Sequence, residues 1–413
     1  LSDWSAGSVD SDSYVSVSGR RRWGRSLMSM RKTLALLYVA LVWSRQKITL
    51  CDLLRLVERG VVPYVNSYEC FHDDMKLSSR DGLIFRVQSI PSYSMIHSES
   101  KNLIKFLQLP AFPPISSQSP LHPLNLSLRL LMELNLPDEM SQCVESVLSR
   151  ADLVTSARLT LDPKSYQLPH YELLAAAAII VSMKLLFGLD DETEWELSSE
   201  ASSTESGEVF SLRRWYRLLQ GALHRGQRRR RQHKARKQWV PKKPFYFTQK
   251  EKIVTLKRRR VSEQLTSCFQ RLSPAGGSAP HSLAQGGGAF HFLWGRGPDA
   301  DGRSMHHMTL KGGTRNTQGF LLSEENYWHA PFISCRGRGH LLRLRDDLPQ
   351  MFVWILELFS FVLDLKPDVL FEAVSRLEKT LLKVQRPKRT KRPKRTARRP
   401  PKPGPGPRRS RKP

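Results

Sequence analysis

Cysteine is scarce in this 413-residue chain and poorly placed for structural use. The five cysteines, at 51, 70, 143, 268 and 335, are widely spread, odd in number and never fall as C-x-x-C, so neither a disulfide framework nor a zinc ribbon is readable from them. A reducing compartment is the default. No signal peptide is visible, and because the chain starts at Leu1 rather than Met an upstream segment is expected. Long hydrophobic runs are lacking too. The most apolar one, Leu173 to Leu189 within "HYELLAAAAIIVSMKLLFGLDDETEW", has 17 residues, contains Ser182 and Lys184, and has no basic flank. A membrane span needs about 20 apolar residues. Four consecutive alanines favour helix, Glu172 and Lys184 suit the two ends of the helix dipole, and Gly188 suits a C-terminal cap. A helix apolar on nearly every face is buried among other helices. The run therefore reads as a core helix of a soluble domain, with Ile179, Ile180, Leu185 and Leu186 inside, and no membrane partner is expected.

Catalytic signatures are missing as well. The chain contains no G-x-x-x-x-G-K-[ST], no H-E-x-x-H and no G-x-S-x-G. Gly286–Gly288 lies in a loop that opens no helix, so it is no phosphate cradle. His306, His307, His329, Cys335 and His340 could in principle gather a metal, but their spacing fits no standard zinc pattern and reads as scattered surface residues. Asp73 with Asp74, and Asp190 with Asp191, are adjacent pairs that cannot face each other on a helix; they read as helix-end acids. No enzymatic activity and no cofactor are expected from these residues.

Positive charge is abundant and unevenly spread. The formal net charge is +28. Residues 31–190 carry 16 Lys/Arg against 15 Asp/Glu, residues 191–210 carry seven acids and no base, and residues 211–413 carry 46 bases against 13 acids. A near-neutral module, an acidic patch and a strongly basic half point to a nucleic-acid or other polyanion partner for the second half.

Periodicity predicts helices over 31–46, 48–60, 92–110, 122–135 and 136–150, then the core helix. Thr49 with Asp52 forms a capping-box pattern, and Gly60 ends the second helix. Pro137 sits near the first position of the fifth. A basic amphipathic helix runs from 211 to near Trp239, and two apolar helices cover 348–365 and 368–384. The first of that pair, at most about 27 Å long and interrupted by Glu357, is short for a span. The fold class is all-α. In domain terms, 1–26 is a disordered lead-in, 191–210 an acidic linker, 211–270 a basic helical region, 271–320 a Gly/Ser-rich disordered stretch, 321–385 a C-terminal helical unit and 386–413 a basic Pro/Arg tail. The acids of 190–208 could screen the basic half from its partner.

Two basic segments carry the binding candidates. Arg228, Arg229, Arg230, Arg231, Lys234, Arg236 and Lys237, flanked by Trp215, Tyr216 and Trp239, combine charge for phosphates with aromatic packing. A nuclear import signal and a plain solvated face are the competing readings. In the tail, Lys388, Arg389, Lys391, Arg392, Lys394 and Arg395 read as a nuclear or nucleolar targeting signal, with non-specific DNA or RNA contact beside it.

Four stretches carry a family resemblance: "LALLYVALVWSRQKITLCDLLRLVERGVVPYVNSYECF" (34–71), "MKLSSRDGLIF" (75–85), "LHPLNLSLRLLMELNLPDEM" (121–140) and "AAAAIIVSMKLLFGLDDETEW" (175–195). With "RRWYRLLQGAL", "KKPFYF" and "FVWILELFSFVL" they closely resemble the B-type TATA-binding-protein-associated factors of RNA polymerase I, the transcription-factor-IIB-like members of animal selectivity factor 1. The resemblance covers about residues 27–384. It implies cyclin-like helical repeats, with 27–92 the later part of the first and 93–190 the second. It also implies a zinc ribbon that would lie upstream, whose cysteine motif has no match here. Its implied activity is assembly: binding the ribosomal DNA core promoter with TATA-binding protein and the other selectivity factor components, and recruiting RNA polymerase I and its initiation factors in the nucleus and nucleolus. A nucleolar RNA-binding ribosome-assembly factor and a cyclin-like protein-interaction adaptor are the alternatives.

Overall fold

A computed structural model describes residues 28–71, 84–110, 112–155, 159–162, 166–203, 209–239, 249–272, 292–295, 297, 300–310, 314 and 340–385. Its helices, in chain order, are α1 (Met30–Trp43), α2 (Leu50–Arg59), α3 (Tyr93–Leu107), α4 (Pro123–Glu133), α5 (Met140–Arg150), α6 (Tyr171–Phe187), α7 (Thr193–Ser203), α8 (Leu212–Trp239), α9 (Gln249–Leu272), α10 (His340–Leu344), α11 (Gln350–Leu363) and α12 (Pro367–Gln385). Among the described residues there are only isolated β-bridges and no strand, so the fold is all-α. None of these helices is long and apolar enough to cross a membrane.

Local chemistry sets the helix ends. The Ser29 side chain accepts from the Lys32 amide at the start of α1. Thr49 and Asp52 form the expected capping box on α2, and Gly60 closes it at φ 83°, a left-handed conformation that favours glycine. One start differs from the sequence expectation. The helix read over 136–150 begins at Met140, because Asp138 and Glu139 form a turn in which the Asp138 amide donates to the His306 carbonyl at 3.0 Å.

Helix α6 is the hub. It packs against α4, α5, α11 and α12, and all of its residues but Leu174 are buried. Its two charged residues are buried as well, and each ties another helix to it. Glu172 accepts from the Cys51 amide in the first turn of α2 at 3.2 Å. Lys184 meets Glu378 of α12 in an ion pair whose two side chains are 4% and 0% exposed. The α11–α12 pair thereby joins the same hydrophobic core as α1–α6.

The acidic linker read over 191–210 requires correction: residues 193–203 form α7, packed on α6 and α8. Its acids are used as caps. Asp190 accepts from the Thr193 amide at 2.7 Å, and Asp191 accepts from the Gln350 and Met351 amides at 2.6 and 2.8 Å, closing the start of α11. Glu194 accepts from the Asp190 and Asp191 amides at 3.0 Å each. Burial nevertheless raises the Glu194 carboxyl to about 7. Asp190, Asp191 and Glu194 are thus committed to helix ends, while Glu192, Glu196 and Glu200 are exposed. Residues 204–208 lie outside the described ones.

Candidate nucleic-acid interface

Helix α8 has eleven bases and no acid, along roughly 42 Å of axis. Its first half is anchored by packing. Trp215 is fully buried and its indole N–H donates to the Leu134 carbonyl at 2.8 Å. Tyr216 lies against Trp354, ring centroids 4.5 Å apart. Two of the three aromatics expected to flank a nucleic-acid surface, Trp215 and Tyr216, are thus used to seat the helix. A Cβ on Gly226 would come within 3.2 Å of the Phe361 ring, so glycine permits the close approach of α8 to α11.

Carboxylates from three distant segments divide the arginine cluster. Asp301, almost fully buried, accepts from Arg229 at 3.0 Å and lies 3.5 Å from Arg225. Glu58 of α2 accepts from Arg230 at 3.0 Å and from Lys234 at 2.9 Å. Burial works against the charge of Glu58, yet Lys234 and Arg230 hold its carboxyl below the usual range. Arg230 also pairs with Asp364 and lies 5.9 Å over the Phe361 ring. Arg229, Arg230 and Lys234 therefore tie α8 to the fold, with Arg229 and Lys234 still exposed in part. Arg228 and Arg231 remain exposed. With Arg213, Arg217 and His224, also exposed, they fall within about 60° around the helix, a stripe about 27 Å long from 213 to 231. The side chains of Arg236, Lys237 and Trp239 lie outside the described ones.

Asp301 belongs to the stretch read as disordered over 271–320, and that reading is corrected for the described residues between 292 and 310. Phe292 and Met305 are buried; the Trp294 indole donates to the Glu133 carbonyl at 2.9 Å; and Asn135 clamps the strap by donating to the Arg303 carbonyl at 2.8 Å and accepting from the Met305 amide at 2.7 Å. Glycine-rich composition conceals these few anchors. Residues 273–291 lie outside the described ones, as do 315–339 and the tail with its targeting candidates.

A second basic surface has no signature in the sequence. A cleft of 590 Å³ is lined by Lys47, Arg55, Arg59 and Arg129, with Asp52 among them. Arg129 donates to both Asp52 oxygens; despite the opposing effect of burial, this holds the Asp52 carboxyl below its usual range. Burial, then Arg55, pulls Arg59 down. The Glu58 ties to Arg230 and Lys234 bring the end of α2 against the C-terminal half of α8. These bases are spread over more than 80 residues of a near-neutral module, and only folding collects them.

Comparison with known proteins agrees with this architecture. A family model described as the Rrn7/TAF1B C-terminal cyclin domain matches residues 89–272, which run from just before α3 to the end of α9. A TATA box-binding protein-associated factor of RNA polymerase I, of the B type (TAF1B), from Danio rerio is 38% identical over 382 residues, covering 91% of this chain and 66% of its own length. Its namesake from Gallus gallus is 36% identical over 404 residues, covering 94% and 68%. The chain belongs to the TAF1B family of RNA polymerase I factors. It spans about two thirds of the length of these curated relatives. The Homo sapiens namesake is 34% identical over 390 residues. No solved structure matches.

The zinc that the family resemblance implies belongs to a ribbon expected upstream, not to the residues described. Among them no three His, Cys, Asp or Glu gather closely enough to hold a metal ion. His306 lies 3.0 Å from the Leu136 carbonyl through Nδ1, and exposed His307 lies 3.9 Å from Asp138. His329, Cys335 and the side chain of His340 lie outside the described residues.

Proposed function

We propose that this TAF1B family member is a non-enzymatic RNA polymerase I initiation factor that contacts the ribosomal DNA core promoter through the exposed arginine stripe of α8. In this reading it works beside TATA-binding protein and the other selectivity factor components and helps recruit RNA polymerase I, and the basic tail carries it to the nucleolus. The observation that carries the reading is the division of the α8 cluster. Arg229, Arg230 and Lys234 fix the helix to Asp301, Glu58 and Asp364, while Arg228 and Arg231 stay exposed in line with Arg213 and Arg217. A rigid row of cations matches a duplex, whose phosphates recur about every 1.7 Å of axis.

The test is DNA affinity across a salt series. Each phosphate that is no longer neutralised lowers the slope of log affinity against log salt by about 0.9. Replacing Arg228 and Arg231 together with alanine should reduce that slope by about 1.8 and leave melting unchanged. An unchanged slope would refute the stripe as the contact surface. Equal weakening on a hairpin RNA, with tighter binding to RNA than to promoter duplex, would favour a ribosome-assembly role.

A further inference from the structure

Helix α9 is a second long basic helix, but it is built differently from α8. It has seven bases against two acids. From Val254 to Phe269 every described side chain is exposed except half-buried Ser267. Val254, Val261, Leu265 and Phe269 are 48%, 54%, 55% and 65% exposed. Exposed Cys268 joins them. At 100° per residue, Val254, Val261, Leu265 and Cys268 lie within about 60° of one another, with Phe269 at the edge. Their intervals of seven, four and three residues follow the period of a helix–helix seam. Single exposed apolar residues are ordinary, but an aligned row marks an interaction surface.

The charges around the row restrict what can cover it. Arg258 falls inside the stripe, one turn after Val254, and Lys257 and Arg260 are exposed nearby. A second copy of α9 would set these bases against their own kind. A nucleic acid would satisfy the bases and leave Leu265 and Phe269 in water. The acidic segment of this chain that could reach across is already folded as α7 against α8. We infer that α9 docks an acidic amphipathic helix from a partner protein, whose apolar seam covers Val254, Val261, Leu265 and Phe269 and whose carboxylates face Lys257, Arg258 and Arg260.

The probe is a synthetic helical peptide of about three heptads with leucine along the seam and glutamate on both flanks. It is titrated by fluorescence anisotropy against the full chain, beside a lysine-flanked version and a short duplex DNA. The glutamate peptide should bind, and the lysine version should not. Leu265→Asp, at an exposed site, should weaken binding about tenfold or more, the loss of one apolar anchor. A Lys257→Glu/Arg258→Glu variant should reverse the preference and take the lysine peptide, a readout independent of whether Leu265→Asp folds. Failure of the glutamate peptide to bind would overturn the proposal. So would concentration-dependent self-association that Leu265→Asp abolishes, which would assign the stripe to a second copy. Duplex binding abolished in the charge variant and kept by Leu265→Asp, without peptide binding, would assign α9 to nucleic acid.

Discussion

Exchange of Glu378 for leucine tests whether the C-terminal helices are part of the fold. Glu378 lies on α12 with its side chain fully buried, and it faces Lys184 of α6, whose side chain is 4% exposed. Burial lowers the Lys184 pKa and Glu378 opposes that shift; the ammonium also lies 5.1 Å from the Phe352 ring centroid. Removing one partner of a buried ion pair costs about 3–5 kcal/mol, because the remaining charge keeps its desolvation penalty without the attraction. Replacing both with apolar groups of similar size is often neutral, or stabilising by about 1–4 kcal/mol. Urea unfolding of the full chain, followed by far-UV circular dichroism, should therefore show a large loss for Glu378→Leu. Most of that loss should be recovered in the Lys184→Met/Glu378→Leu double variant. If Glu378→Leu unfolds at the parent's urea concentration, α12 does not pack on α6 as described, and the single continuous core is wrong.

The strap and the buried histidines give two further tests. Asp301→Asn removes the charge facing Arg225 and Arg229, with an expected loss of about 1.5–3 kcal/mol and faster limited proteolysis between Leu293 and Met308. The freed Arg229 should also steepen the DNA salt slope by about 0.9 if it then meets a phosphate. His97 and His170 stack at 3.8 Å, and burial lowers them to about 4 and about 3. Folded values below the unfolded value of roughly 6.5 mean that stability holds above that pH and falls as pH drops toward 4. Glu194, raised to about 7, acts in the opposite sense, since its contribution is lost as pH rises through about 7. The histidines are therefore isolated by comparing variants: melting temperature should fall less between pH 6.5 and 4 for His97→Leu than for the parent. Parallel curves would refute the assignment.

Much that depends on local pattern was legible in the sequence, though α7 and its Asp190–Thr193 cap were missed. The helix-forming run that became α6, the Thr49–Asp52 capping box and the Gly60 stop are each set by residues within one or two turns. The expected burial of Ile179, Ile180, Leu185 and Leu186 followed from a run with no polar face to offer water. Glu172 and Lys184 were legible only in part. Their places near the helix ends suited the dipole, but their partners, the Cys51 amide and Glu378, lie 121 and 194 residues away.

The same limit governs the basic helix. Four consecutive arginines spread over all sides of an α-helix, since each step turns the chain by 100°. A run of this kind cannot present all its charges to one partner, and the surplus must find carboxylates or solvent. Here Asp301, Glu58 and Asp364 take Arg229 and Arg230 and so fix the rotation of α8 about its own axis. That rotation sets which bases face outward. An acid 172 residues upstream and two others 72 and 134 residues downstream thus take Arg229 and Arg230 and leave Arg228 and Arg231 turned to solvent. Neutralising any of these three acids should therefore alter DNA binding through arginines that the acid never touches. A measured coupling between Glu58→Gln and Arg228→Ala would separate this from simple loss of charge, because independent charges give additive effects.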